Sequence, residues 1–152
     1  MISSNAIVTL QKITKENLDD ILALKVTKEQ EKFVADNAVS IAQAHFYPEV
    51  AWFRAIYANE IPVGFVMLVD HPIKSSYSLW RLMIDARFQK CGFGRRAMEL
   101  VLQYVKIRPG AKELFTSCSA GDGSPKTFYE KMGFTDTGKV DEDGELIMQY
   151  KF

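Results

Sequence analysis

The sequence predicts an α+β domain built on a mixed sheet, and three features carry that expectation. Runs rich in β-branched and aromatic residues recur at 6–13, 51–58, 61–70, 77–85 and 112–119 and twice in TDTGKVDEDGELIMQYKF, enough for about six or seven strands. Helical periodicity fills about four of the stretches between them. The order opens βαα, continues as a run of strands and closes βαβαββ, which mixes hairpins with crossover connections.

AIVTLQKI (6–13) opens as a strand. Thr14 then offers an N-cap to a helix over KENLDDILAL, whose Leu18, Ile21, Leu22 and Leu24 share one side. From Glu29 to His45 a second helical region is expected, interrupted near Ala35 to Asn37, where Asp36 and Asn37 supply a new cap. AWFRAIYA (51–58) and IPVGFVMLVD (61–70) flank Asn59-Glu60 as a hairpin, with Pro62 near a strand start, where its missing N–H is tolerated. HPIKSS is a loop. YSLWRLMID (77–85) is so densely apolar that it reads as a central strand buried on both faces.

Beyond Gly92, Phe93, Ala97, Leu100, Val101, Tyr104 and Val105 recur at helical spacing, with Arg95, Arg96, Glu99, Gln103 and Lys106 opposite; Pro109-Gly110 ends this helix. KELFTSCS (112–119) is a strand and GDGS a turn. PKTFYEKM (125–132) is a short helix with Pro125 in its first turn and Gly133 as its stop. Asp143-Gly144 turns the last two strands. The closing LIMQYKF either finishes the sheet or offers an edge to a second copy in a homodimer.

The 152 residues fit one continuous domain, 1–152, with 47% apolar and 25% charged residues. No apolar stretch approaches the ~20 residues that span a bilayer, so no membrane partner is expected. MISSNAIVTL has neither a basic leader nor a long apolar segment, and the expected compartment is cytoplasmic. Nineteen basic residues balance nineteen acidic ones without a basic stripe, which argues against nucleic acid. Cys91 and Cys118 lack CxxC spacing or a neighbouring histidine pair, so no metal site is expected and both read as reduced thiols.

QKCGFG (89–94) sits between a strand and a helix, where glycines let an anion approach backbone amides at a helix N-terminus. GFGRRA formally fits a dinucleotide fingerprint, yet antiparallel strands precede it and Glu113 stands at the start of the next strand, where that fold needs an acid at the end. A Walker A motif is absent. A pyrophosphate cradled by the amides from Lys90 to Arg95, with charge from Arg95 and Arg96, and an ordinary tight turn both remain as readings.

LMIDARFQKCGFGRRAMELVL, with Gln89, Gly92 and Gly94 at the diagnostic positions of a Q/R-x-x-G-x-G/A loop, and FYEKMGF (128–134) downstream resemble the GNAT superfamily of acetyl-CoA-dependent N-acetyltransferases. The resemblance covers essentially the whole chain. It is closest to bacterial polyamine (spermine/spermidine) acetyltransferases through FVADNAVSIAQA, IPVGFVML, LWRLMID and GELIMQ. It implies a GNAT fold with splayed central strands, acetyl-CoA as co-substrate and a small polyamine as acceptor. An aminoglycoside-like drug, an amino acid or a protein amine is the rival acceptor, and a coenzyme A-binding module without turnover is the rival class.

The resemblance further implies that Leu82, Met83 and Ile84 part from the strand at Leu114 to Ser117 to pair with pantetheine. It places Gln89, Lys90, Cys91, Gly92, Phe93, Gly94 and Arg95 at the diphosphate. An amide near Met83 or Ile84 would polarise the thioester oxygen. Tyr129 would be the general acid, its phenol protonating the leaving thiolate. Without the resemblance, Tyr129 reads as a core aromatic beside Phe128 and Phe134, since aromatics on short helices usually pack. Asp122 stands where relatives carry Asn, and Ser124 is the alternative cap of the helix at Pro125. Cys91 takes a position often held by Lys, Arg or Gly. Ser78 stands where some members carry a glutamate base, which leaves Glu29, Glu31, Asp36, Glu49, Asp85 and His45 as candidate acceptor-side groups. The acidic DEDGE (141–145) reads as a soluble hairpin or as a lure for a polycation.

Overall fold

The computed structural model describes residues 2–152. Seven strands, β1 (Val8–Gln11), β2 (Ala51–Ala58), β3 (Ile61–His71), β4 (Ser76–Ile84), β5 (Glu113–Cys118), β6 (Thr135–Val140) and β7 (Leu146–Lys151), form one sheet in the order β1-β2-β3-β4-β5-β7-β6. Four helices, α1 (Leu18–Leu22), α2 (Asn37–His45), α3 (Phe93–Lys106) and α4 (Lys126–Lys131), flank it. All neighbours are antiparallel except β4 and β5. The expected mixed sheet, strand count and element order are all present.

Two apolar layers sandwich the sheet. On one side α3 buries Phe93, Ala97, Met98, Val101 and Val105 against Val66, Leu68, Leu79, Leu114 and Met148. Full burial of each larger apolar side chain contributes about 1.5–3 kcal/mol. On the other, α1 and α2 cover Phe65, Met67 and Met83 with Ile21, Leu24 and Ala44. At the far end of α3, buried Asp70 accepts from the Tyr104 hydroxyl and from Arg108 Nε at 3.1 Å, tying the helix to β3. Burial, reinforced by that carboxylate, pushes the Tyr104 phenol up to about 12.

Three expectations need correction. Thr14 does not cap α1, which starts at Leu18; Asn17 Oδ1 instead accepts from the Thr14 amide at 2.8 Å and holds the intervening turn. The region from Glu29 contains a 3₁₀ turn (Lys28–Gln30) and then α2, with Asp36 capping the Val39 amide at 2.9 Å as expected. Finally, β4 is not buried on both faces. Tyr77, Leu79 and Met83 are buried, whereas Ser78, Trp80, Arg81, Leu82 and Ile84 are partly exposed. Met67 faces Arg81 while Leu68 faces Leu79, so Trp80 is one residue too many for the ladder and forms a bulge. Past it the parity changes: Leu79 belongs to the α3 layer and Met83 to the α1–α2 layer.

LIMQYKF is interior, with β5 on one side and β6 on the other, so it finishes the sheet and has no free edge for a second copy. Among the described residues no helix is long and apolar enough to cross a membrane.

Candidate active site

The parallel neighbours β4 and β5 share a single register pair, Ser78 with Phe115. Immediately beyond it the Thr116 hydroxyl donates to the Leu79 carbonyl at 3.4 Å, replacing a ladder bond with a side chain. The strands then diverge around a cleft of about 1170 Å³, walled by Ser78 to Ile84 on one side and Thr116 to Ser119 on the other. Backbone groups of a strand freed in this way are available to an extended ligand.

At one end of the cleft the chain is bent by Asp85. Its Oδ1 accepts from the Arg87 amide (2.9 Å) and Arg87 Nε (2.8 Å), and its Oδ2 from the Lys25 amide (2.9 Å). Burial opposes the Asp85 charge, but these donors outweigh it and hold the carboxyl below its ordinary value. Gln89 Nε2 then reaches the Ile84 carbonyl (2.8 Å) and Gln30 Oε1 (2.7 Å). Lys90 and Gly92 both adopt left-handed backbone, φ 62° and 81°, and launch α3. Its first intrahelical bond runs from the Arg96 amide to the Gly92 carbonyl at 3.1 Å, so the amides of Gly92 to Arg95 have no intrahelical partner. They and the positive end of a 14-residue helix form an anion cradle.

Tyr129 lies in the opposite wall, 6% exposed, edge-on to Phe128 (5.4 Å) and Phe134 (5.5 Å). Burial pushes its phenol up to about 12, against the lowering effect of the Thr116 hydroxyl. Burial likewise raises the neighbouring Cys118 thiol, keeping it protonated. Ser124 Oγ accepts from the Lys126 amide at 3.1 Å where α4 begins. The hairpin tip, carried by β7 to the C-terminal end of β5, brings Asp141, Asp143 and Glu145 into the lining, and Glu31 on the α1–α2 connection lines the cleft as well. Arg81 also lines the cleft, its guanidinium bonded to the Trp80 carbonyl and Gln43 Oε1, and desolvation pulls its pKa down.

Residues 15–134 match the sequence pattern of the acetyltransferase (GNAT) family. The chain belongs to that family. Its curated relatives include the spermine/spermidine N(1)-acetyltransferase of Bacillus subtilis (strain 168), 25% identical over 151 residues, which are 93% of this chain and 96% of that one. The peptidyl-lysine N-acetyltransferase YjaB of Escherichia coli (strain K12) is 32% identical over 98 residues, 64% of this chain and 58% of the relative. Among solved structures, spermidine N-acetyltransferase from Vibrio cholerae in complex with CoA and spermine superposes with a TM-score of 0.72 at 17% identity, covering 95% of each chain. The splayed sheet is thus the GNAT fold, and the protein is a GNAT N-acetyltransferase.

Of the coenzyme residues the GNAT motif implied, Leu82, Met83, Ile84, Gln89, Gly94 and Ser124 line the cleft together with Tyr129. Lys90, Cys91 and Gly92 belong to the loop beside it, and Arg95 to the first turn of α3. Phe93 is 1% exposed, so only its backbone faces outward chemistry. Arg95 is exposed and paired with Glu99 at 3.2 Å. Arg96 does not present its charge to the loop's open side, since its nitrogens all donate to backbone carbonyls. Asp122 is exposed and outside the cleft lining. Of the acceptor-side candidates Glu31 lines the cleft, whereas Glu29, Glu49 and His45 are exposed away from it and Asp36 caps α2. Asp85 is occupied by its three donors, a latch between the ends of α1 and β4. The residues that sequence reasoning underrated are Asp141, Asp143 and Glu145 of DEDGE, which reach the cleft because β7 pairs with β5 and carries the hairpin tip across.

Proposed function

We propose that the protein transfers an acetyl group from acetyl-CoA to a primary amine of a small polyamine such as spermidine or spermine. The observation carrying this reading is the splayed cleft itself, with an anion cradle where β4 ends, a buried phenol in its wall and carboxylates in its lining. The diphosphate rests on the amides of the loop from Gln89 to Arg95 and pantetheine extends along Leu82 to Ile84. An amide near Met83 or Ile84 polarises the thioester carbonyl. Attack by the neutral amine forms the C–N bond; collapse breaks C–S, nitrogen loses a proton and sulfur gains one.

Tyr129 serves sulfur. With its pKa near 12 and the thiol's near 8.5, complete transfer of the phenolic proton is uphill by roughly 5 kcal/mol. Its contribution is a fixed donor whose bond strengthens as thiolate charge develops, with the proton drawn fully across only as the C–S bond breaks. The carboxylates of Glu31, Asp143 and Glu145 draw in the distal ammonium groups of a polyamine. The relatives support the same acceptor class, while the similarity to a peptidyl-lysine acetyltransferase favours a protein lysine as the second reading.

Thiol release from acetyl-CoA, measured with spermine, spermidine, putrescine, an aminoglycoside, free lysine and a lysine peptide, tests the acceptor. Spermine or spermidine should give the highest kcat/KM. The pair Glu31→Gln and Asp143→Asn should raise the spermine KM by about tenfold and weaken its salt dependence. A lysine peptide outperforming every polyamine would replace the acceptor; failure of every amine to release thiol above the hydrolysis background would remove the reaction.

A further inference from the structure

We propose that Arg96 is a positioning residue for the coenzyme diphosphate, acting on the carbonyls behind the loop and not on the phosphates. The inference rests on the coenzyme reading above. In a trans peptide the carbonyl of one residue and the N–H of the next point in opposite directions. Arg96 Nη2 donates to the Cys91 carbonyl and Nε to the Gly92 carbonyl, both at 3.4 Å. Holding those oxygens behind the loop turns the Gly92 and Phe93 N–H groups forward, away from the guanidinium, toward the cradle at the start of α3.

The guanidinium is itself anchored. Nη1 donates to the Ala6 carbonyl and Nη2 to the Ser4 carbonyl (2.7 Å), some ninety residues away in sequence. Its carbon sits 5.1 Å from the ring centroid of Phe93, which is fully buried. Arg96 is therefore a brace: the segment before β1 fixes one side of the planar fork, and the other side orients the Cys91–Gly92 peptide plane and reinforces the Gly92–Phe93 plane, whose carbonyl also accepts the Arg96 amide at 3.1 Å. Such a task needs several donors in a fixed plane, which a lysine ammonium lacks. A direct phosphate ligand would need only the charge.

The test compares two donors within each variant: acetyl-CoA and acetyl-pantetheine, a thioester without nucleotide or diphosphate. The ratio of their KM values does not depend on the fraction of folded enzyme. Wild type should favour acetyl-CoA, and Arg96→Ala and Arg96→Lys should both shrink that preference by about tenfold, the loss of one well-aimed amide–phosphate bond. If the alanine variant does not fold, the lysine variant, which keeps an aliphatic stem over Phe93, reads the same ratio. A lysine variant with the wild-type ratio would make Arg96 a charge contact and overturn the proposal. Equal losses for both donors, or no change in either variant, would overturn it as well. A wild type indifferent between the two donors would sink the diphosphate reading itself, and the proposal with it.

Discussion

Tyr129 combines near-complete burial with a place in the cleft wall, and a pKa near 12 keeps it protonated at any working pH. Tyr129→Phe should lower kcat by about 10²-fold or more with little change in acetyl-CoA affinity, as steady-state kinetics and coenzyme titration would show. Gly92 has open space where a Cβ would stand, so its cost on substitution is conformational. Gly92→Ala at φ 81° should lose about 1 kcal/mol, a drop of roughly 2–4 °C in Tm for a chain of this size. Both residues were legible in sequence because each belongs to a short motif, QKCGFG and FYEKMGF, whose spacing is local. The ties of Arg96 to Ser4 and Ala6 were not, because nothing near position 96 encodes carbonyls that only the folded chain delivers. The same applies to Asp85, a plausible base by residue type until the distant Lys25 amide claims one of its oxygens.

At the scale of elements, β4 carries the site, and its neighbour β3 fixes its position. A Cβ on Gly64 would fall 2.3 Å from the Met83 carbonyl oxygen, so Gly64→Ala must push β4 outward where the thioester would lie. Destabilisation of about 1–3 kcal/mol and at least a tenfold fall in kcat are expected, measurable by urea unfolding and steady-state kinetics. The end of β4 is latched by Asp85. Because its pKa is depressed in the fold, its stabilisation is present above the unfolded value of about 4 and is lost as pH falls through the lower folded value. Asp85→Asn should cost about 2 kcal/mol near neutrality and flatten the acid limb of a stability–pH curve. The succession of strands and helices along the chain was readable from periodicity, but the Trp80 bulge was not: SLWRLMID has no polar alternation against which one inserted residue would register.

At the scale of the whole molecule, two phenols with raised pKa values, Tyr104 and Tyr129, belong to the apolar layer that α3 completes. The stability they confer is full below about pH 10, the unfolded value, and disappears as pH climbs toward 12. Part of the tyrosinate absorbance should therefore emerge only near pH 12, together with loss of the fold. The sheet, meanwhile, joins its two halves by one residue pair, Ser78 with Phe115, so cohesion across the gap falls to α3 and the apolar layer it completes with Leu114 and Met148. Such an arrangement largely separates two duties that most sheets combine: hydrogen bonds shape each half, while greasy contacts, helped by the Ser78–Phe115 pair and the Thr116 hydroxyl, keep the halves from drifting apart. The slot between them consequently has a width set by side-chain volume, and trimming a buried methionine of α3 would retune how tightly a thioester is gripped without touching any atom that meets it.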